Sequence, residues 1–390
     1  MQNNSNLEYG PVRPDEIEGL NNLLEQALTF TVGGMAPWTE AIGHEHMRVV
    51  RRDGRPVSGM STIPMGHYFG GRSVPAGGVT AVGVGPEVRG TGVGLWMIQR
   101  SLEELRSQGV PLATLYPATT TFYRRAGYER AAQRLIYEVP AAAIGVRDYT
   151  LEASPAGADE YAIIKQLYAQ QGARGSGFID RPEFYWKQFL EPKDKRSYKY
   201  IVRRDGVPEG YVVYMHAAWG EPLQVRDIIA LTPAAGRRLL TLLADHRSMI
   251  ETVRLPGGPN DALLFLLPEQ KQKVGWSLDL MLRIVDVAGA LGARGYPPAL
   301  SAELHFDVQD DLLAQNNGRL VLSVAEGRGS VQPSGQGRIR LHVRDLAALY
   351  SGYMTPQELR AAGTLDGPAE DLALAGLVFG GPRPWTPDMF

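Results

Sequence analysis

Apolar residues recur along this chain in two periods, and the changes between them mark out elements. Over residues 14–30, Ile17, Leu20, Leu23, Leu24 and Leu28 share one helical face, and Asp15 and Glu16 sit in the first turn, where the helix dipole favours negative charge. A loop is expected over residues 31–38. Apolar runs at 47–50 and 57–65 then read as two strands joined by Arg52-Asp53-Gly54-Arg55-Pro56. Alternation resumes at 79–84 and Pro86 closes it, after which Leu95, Ile98, Leu102 and Leu105 predict a helix ended by Gly109 and Pro111. A strand at 112–117, a short helix near 122–128 and a closing strand at 135–139 complete a first unit, residues 1–146.

The next stretch echoes the first. Arg51-Arg52-Asp53-Gly54-Arg55-Pro56 reappears as Arg203-Arg204-Asp205-Gly206-Val207-Pro208, again between apolar runs, and Val84-Gly85-Pro86 corresponds to Leu231-Thr232-Pro233 ahead of a helix carrying Leu239, Leu240, Leu242 and Leu243. A duplicated fold follows from such matched offsets, with the second copy over residues 147–281. From residue 282 the pattern changes to a short helix at 288–291, strands at 302–307, 320–324 and 337–343, a long hairpin over 325–337, and helices near 346–350, 355–361 and beyond 369. This is a compact α+β unit.

The stretch with chemical content lies between the 79–84 strand and the helix after it: Arg89-Gly90-Thr91-Gly92-Val93-Gly94. A strand feeding a glycine-rich turn that opens a helix can cradle phosphate, because successive backbone N–H groups converge and the dipole favours an anion. Glycines at this spacing also fit an ordinary tight turn. No Gly-Lys-Ser or Gly-Lys-Thr follows, and no acidic residue stands about twenty positions on, so the nucleotide-hydrolase and dinucleotide patterns are excluded. The second copy reads Ala234-Ala235-Gly236-Arg237-Arg238 at this place and is not expected to hold pyrophosphate in the same way.

Composition narrows the chemistry further. The formal net charge is −2 with Lys and Arg dispersed, which argues against nucleic acid as a partner. There is no cysteine, so disulfides, thiol nucleophiles and sulfur acyl-enzymes are excluded. His44-Glu45-His46 lacks the spacing of a zinc helix, and no metal is expected. The first residues carry neither the basic nor the apolar region of a secretion signal, and no apolar run reaches membrane-spanning length, so the cytoplasm is the expected location.

The loop at 89–94 resembles the R-x-x-G-x-G pyrophosphate signature of the GNAT acetyltransferases, which bind acetyl-CoA. Phe122-Tyr123-Arg124-Arg125-Ala126-Gly127-Tyr128 is similar to the helix and Gly-Tyr turn that end their core. With Leu282-Arg283-Ile284-Val285-Asp286-Val287 and the last residue, Phe390, the chain resembles the enhanced intracellular survival (Eis) family: two tandem GNAT folds, the second degenerate, then a sterol-carrier-protein-2-like α+β domain. The resemblance implies an N-acetyltransferase that moves acetyl from acetyl-CoA directly to primary amines, of aminoglycosides or lysine side chains, in a hexamer. It implies that Val82 and Val84 line the acetyl-CoA channel, that Arg89, Gly90, Gly92 and Gly94 hold pyrophosphate, that Tyr123 is the general acid, and that the carboxylate of Phe390 is the base. Two departures stand out. Arg89-Gly90-Thr91 replaces a run of arginines, and Tyr116 replaces a histidine, which leaves the proton path open. A tail with Pro382, Pro384 and Pro387 beside Trp385, Met389 and Phe390 is stiff and apolar, suited to docking. The competing reading is a non-catalytic lipid carrier or scaffold built on the sterol-carrier-like unit, and a dedicated protein-lysine acetyltransferase would share the mechanism.

Overall fold

A computed structural model describes residues 6–193 and 195–390. The first five residues, part of the stretch in which no secretion signal was found, lie outside the described residues.

The first unit runs β1 (Leu7–Pro11), α1 (Ile17–Leu28), α2 (Ala36–Ile42), β2 (Met47–Arg52), β3 (Arg55–Phe69), β4 (Arg72–Val84), α3 (Val93–Ser107), β5 (Leu112–Leu115), α4 (Thr120–Arg125) and β6 (Glu129–Pro140). The helical faces read from the sequence are the buried ones: Leu20 and Leu24 of α1 pack with Met47, Val49 and Ile63, while Ile98, Leu102 and Leu105 of α3 pack with Val50, Val79 and Leu115. The expected 31–38 loop is shorter than predicted, because Pro37 falls in the first turn of α2, where its missing N–H costs nothing. Trp38 therefore sits on a helix, half-buried against the α1 cluster.

The second unit comprises β7 (Glu152–Pro155), α5 (Tyr161–Arg174), β8 (Ile179–Asp180), α6 (Glu183–Leu190), β9 (Ser197–Arg204), β10 (Val207–Met215), β11 (Leu223–Ala230), α7 (Pro233–Ala244), β12 (Thr252–Gly257) and β13 (Lys273–Ile284). The duplication is visible in backbone detail. Asp53 and Gly54 take φ of 51° and 77°, Asp205 and Gly206 take 49° and 81°, and each pair turns a hairpin, β2–β3 in one case and β9–β10 in the other. Positive φ at both central positions is the hairpin turn whose twist matches the strands.

The two repeats complete each other's sheet. β13 pairs antiparallel with β5 on one side, Met281 opposite Leu115, and with β6 on the other. β6 in turn lies between β13 and β12, Val139 opposite Val253. The result is one continuous sheet in the order β1-β2-β3-β4-β5-β13-β6-β12-β11-β10-β9-β7, with β8 attached to β3. Separating the repeats would break three ladders, β13–β5, β13–β6 and β6–β12.

The third unit holds α8 (Val287–Ala293), β14 (Ala302–Gln309), β15 (Gly318–Ala325), β16 (Arg328–Pro333), β17 (Ile339–His342), α9 (Val343–Ser351), α10 (Pro356–Ala361), β18 (Leu365–Asp366) and α11 (Ala369–Val378). Its sheet order is β16-β15-β14-β17-β18. The long hairpin expected over 325–337 is a tight one, turning at Glu326 and Gly327 with φ of 51° and 74°. α9 packs on β6 and β13, so the third unit is seated against the exchanged strands.

Candidate active site

β4 and β5 are hydrogen-bonded only where Ala76–Gly78 faces 112–114; beyond that point they part. The opening is a cavity of about 380 Å³ whose lining includes Val82, Val84, Arg89, Gly90, Gly92, Gly94 and Tyr123, so the residues singled out in the loop, on β4 and on α4 converge on one groove. A bulge shapes its floor. Opposite β3 the register slips so that Ala81 and Val82 face Met60 together, with Ala81 at φ 50°. Such a bulge takes a residue out of the ladder and frees its backbone to face something else.

The three loop glycines serve different ends. A Cβ on Gly90 or Gly92 would touch nothing within 4 Å; it is their φ of 78° and 92° that calls for glycine. A Cβ on Gly94 would come within 3.2 Å of Val84 and 3.3 Å of the Phe122 ring, so there close approach is what matters. Gly92 is also the N-cap of α3 and offers no side chain to it, leaving the first N–H groups open toward the groove. In the second repeat the same place is closed twice. Thr232 caps α7 by accepting from the Ala235 N–H at 3.2 Å, and a Cβ on Gly236 would meet Leu266 at 2.7 Å. The residues of the first repeat thus fit a pyrophosphate and those of the second do not.

Arg89 is exposed at the groove mouth, its Nε donating to the Val84 carbonyl at 3.2 Å and its Nη2 to that of Ala27 at 3.4 Å. Tyr123 packs edge-on against Phe122 and Tyr128, and its hydroxyl has no hydrogen-bond partner among the described residues. Burial pushes the Tyr123 pKa up to about 12, so it is protonated at neutral pH.

The tail does not fray. Gln133 N–H donates to the Pro384 carbonyl and Thr386 N–H to that of Gln133, so Trp385 makes a single parallel bridge to β6. Trp385 stacks edge-on to Phe178 at 4.8 Å, and Arg134 donates to the Pro387 carbonyl. Asp388 is sealed in a buried cluster: Arg181 Nε donates to both its oxygens at 2.9 and 3.0 Å, and Tyr168 donates to it at 2.7 Å. Arg181 Nη2 lies 2.7 Å from Asp388 and 2.9 Å from Asp227, at angles that make ion pairs without hydrogen bonds. Burial raises the Asp227 pKa, and Tyr211 donates to that carboxylate at 2.7 Å. The Phe390 ring ends up tilted on Tyr116 with centroids 5.6 Å apart, and a Cβ on Gly78 would come within 3.0 Å of it. Phe390 therefore sits where β4 and β5 part.

Tyr116, whose place in a proton path was left open, donates its hydroxyl to the Asp388 carbonyl at 2.5 Å, and burial holds its pKa well above the ordinary tyrosine value. It pins the tail. Arg181, Asp227, Tyr168 and Tyr185, which donates to the Met389 carbonyl at 2.7 Å, were not singled out in the sequence, nor was His67, fully buried between the Thr114 hydroxyl and the Gly177 carbonyl. No local pattern ties Arg181 to a partner 207 residues away. Among the described residues no group of three or more His, Asp or Glu could hold a metal, and no helix is long and apolar enough to cross a membrane.

An acetyltransferase (GNAT) domain matches residues 8–131, a second acetyltransferase (GNAT) domain matches 177–284, and a sterol carrier protein domain matches 287–387. An uncharacterized N-acetyltransferase of Streptomyces griseus is 31% identical over 354 residues, 82% of this chain and 83% of its own. The N-acetyltransferase Eis of Mycobacterium tuberculosis is 25% identical over 381 residues, 90% of this chain and 91% of its own. Among solved structures, a GCN5-related N-acetyltransferase from Anabaena variabilis matches with TM-score 0.95 and 37% identity, covering 98% of this chain and 100% of that one. Eis1 from Mycobacterium abscessus, at 22% identity and TM-score 0.81, shares the fold over 98% of this chain and 100% of its own. The chain belongs to the GNAT N-acetyltransferases, and among them to those of Eis-like build, with two GNAT domains and a sterol-carrier-type domain.

Proposed function

We propose that this acetyltransferase moves the acetyl group of acetyl-CoA directly to a primary amine, both substrates being bound together. The observation that carries this reading is the meeting of three features in one place: the uncapped N-terminus of α3, the open β4–β5 groove with Tyr123 in its lining, and Phe390 at the point where the strands part. Without cysteine, sulfur is not available as an acyl carrier on the protein.

In the step, the amine nitrogen attacks the thioester carbonyl, the C–N bond forms and the C–S bond breaks. Backbone N–H groups at the β4 bulge, by Ala81 and Val82, polarise the carbonyl. Val82 and Val84 wall the acyl arm, and Arg89 with the backbone at Gly90, Gly92 and Gly94 holds pyrophosphate. The carboxylate of Phe390, on a tail end whose ring rests on Tyr116, takes the ammonium proton. Tyr123 gives its proton to the departing sulfur. A phenol at about 12 is a weaker acid than a thiol at about 8.5, so the transfer depends on alignment of the hydroxyl with the departing sulfur. The first unit, residues 1–146, carries the chemistry, and the units at 147–281 and 282–390 wall the acceptor space and fix the tail. The acceptors are of the aminoglycoside or lysine ε-amine kind, and a cytoplasmic hexamer is the assembly the family likeness supports, testable by light scattering.

The test is release of free thiol from acetyl-CoA against aminoglycosides, polyamines and lysine peptides. Turnover with at least one amine, lost when Phe390 is deleted while CoA still binds, is expected. CoA binding with turnover unchanged by the deletion would remove Phe390 from the mechanism, and no turnover with any of these amines would contradict the acceptor class.

A further inference from the structure

A second cavity of about 430 Å³ opens beside the groove and shares Leu95 and Arg125 with it. Its far wall belongs to the third unit, through Asp310, Asp311, His342 and Arg344. Most charges there are already spoken for. Arg124 is paired with Glu129 at 2.7 and 2.9 Å, and Asp310 is held by Arg283 at 2.7 Å and Asn316 at 2.8 Å. Asp311 is almost fully exposed, 3.3 Å from His342 Nε2 without hydrogen-bond alignment. Among the described residues neither Arg125 nor Arg344 is in an ion pair, although Asp345 lies near enough to Arg344 for its carboxyl to feel that charge.

His342 adds a donor. Its Nδ1 accepts from the Arg344 N–H at 3.1 Å and Nε–H at 3.2 Å, which puts the imidazole proton on Nε2. That nitrogen is buried and has no hydrogen-bond partner among the described residues. Burial and the neighbouring Arg344 hold the His342 pKa below its ordinary value, consistent with a neutral ring. Two guanidiniums outside any ion pair and an unsatisfied N–H thus face the cavity, against the solvated Asp311 on its wall and Asp345 behind Arg344, immediately beyond a loop suited to pyrophosphate.

We propose that this cavity is the subsite for the 3′-phosphate of CoA, held by Arg125 from α4 and by Arg344 and His342 from the third unit. The inference rests on the reading that the groove takes acetyl-CoA. The ribose of CoA carries the pyrophosphate on its 5′ carbon and a phosphate monoester on its 3′ carbon, so a second anion must lie one sugar away from the loop. A monoester offers several acceptor oxygens to planar guanidinium forks. The sterol-carrier-type unit, which reaches the acyl-transfer step only through its tail, would then also select the nucleotide end of the cosubstrate.

Calorimetric titration of the full chain with CoA and with 3′-dephospho-CoA tests this. The full chain should bind CoA about tenfold or more tightly than the dephospho form, as expected for at least one charge-assisted hydrogen bond. Arg344→Ala should erase most of that difference while keeping its affinity for dephospho-CoA, which also reports that the variant is folded; Arg125→Ala, on a separate element, should act in the same direction. Equal affinities in the parent chain, or equal losses for both ligands in both variants, would overturn the subsite and leave the groove assignment standing. Binding of neither ligand by the parent chain would overturn the groove assignment, and the subsite with it.

Discussion

Arg181 and Asp388 form a buried ion pair at 2.7 Å, with side chains 0% and 2% exposed, and through it the second unit holds the tail of the third at the groove of the first. The guanidinium is also stacked over Tyr168 at 3.9 Å, Phe189 at 4.3 Å and Trp186 at 4.5 Å, so its position is fixed from several sides. Because Arg181 faces two carboxylates, the two members of the pair are not equivalent to mutation. Asp388→Asn leaves Arg181 matched to Asp227 and should cost about 2 kcal/mol, the scale of one hydrogen bond to a charged group, while freeing the tail. Arg181→Ala strands two buried carboxylates and should cost about 3–5 kcal/mol. Chemical denaturation ranks the two, and turnover assays of Asp388→Asn should show kcat falling more than tenfold with CoA affinity kept. A kcat equal to that of the parent chain would detach the clamp from catalysis.

Tyr123→Phe keeps the ring packing against Phe122 and Tyr128 and removes only the hydroxyl. Turnover should fall by roughly 10²–10⁴, the range for loss of a positioned acid, with the CoA dissociation constant within about twofold of the parent. Equal losses in binding and turnover would mean that the hydroxyl holds the cosubstrate and does not serve the chemical step.

His67 gives a pH dependence with a definite sign. Burial lowers its pKa from 6.5 to about 4, against the opposing pull of the Gly177 carbonyl and of Asp388. The folded chain therefore keeps His67 neutral where the unfolded chain has already taken up the proton. Its contribution is full above pH 6.5 and is lost as pH falls from there toward 4, by on the order of 3 kcal/mol. His67→Gln can preserve one donor and one acceptor toward Gly177 and Thr114, so its unfolding free energy should show a shallower slope in this window. Denaturation midpoints at several pH values between 7 and 4 measure it, and parallel slopes would contradict the assignment.

Much of the groove was legible in the sequence because its signals are local. The Arg89–Gly94 spacing, the Leu20–Leu24 and Leu102–Leu105 faces and the two Asp-Gly turns each lie within one element or its flanking loop. What escaped was set by distant pairing. Residues 273–284 alternate as a strand does, but nothing in them states that they lie between β5 and β6. Ala81 carries no sign of the positive φ that the bulge imposes on it. Asp388 reads as one acid among several until the fold brings Arg181, Tyr168 and Tyr116 around it.

On the proposed function, one repeat binds the cosubstrate and the other is closed to it. Calorimetric titration of CoA into the full chain tests it most directly, with Gly92→Val in parallel, since valine disfavours the φ of 92° on which the loop depends. One CoA per chain, weakened by about tenfold or more in the variant, is the predicted result. Two sites per chain, no binding, or one site indifferent to Gly92→Val would contradict it.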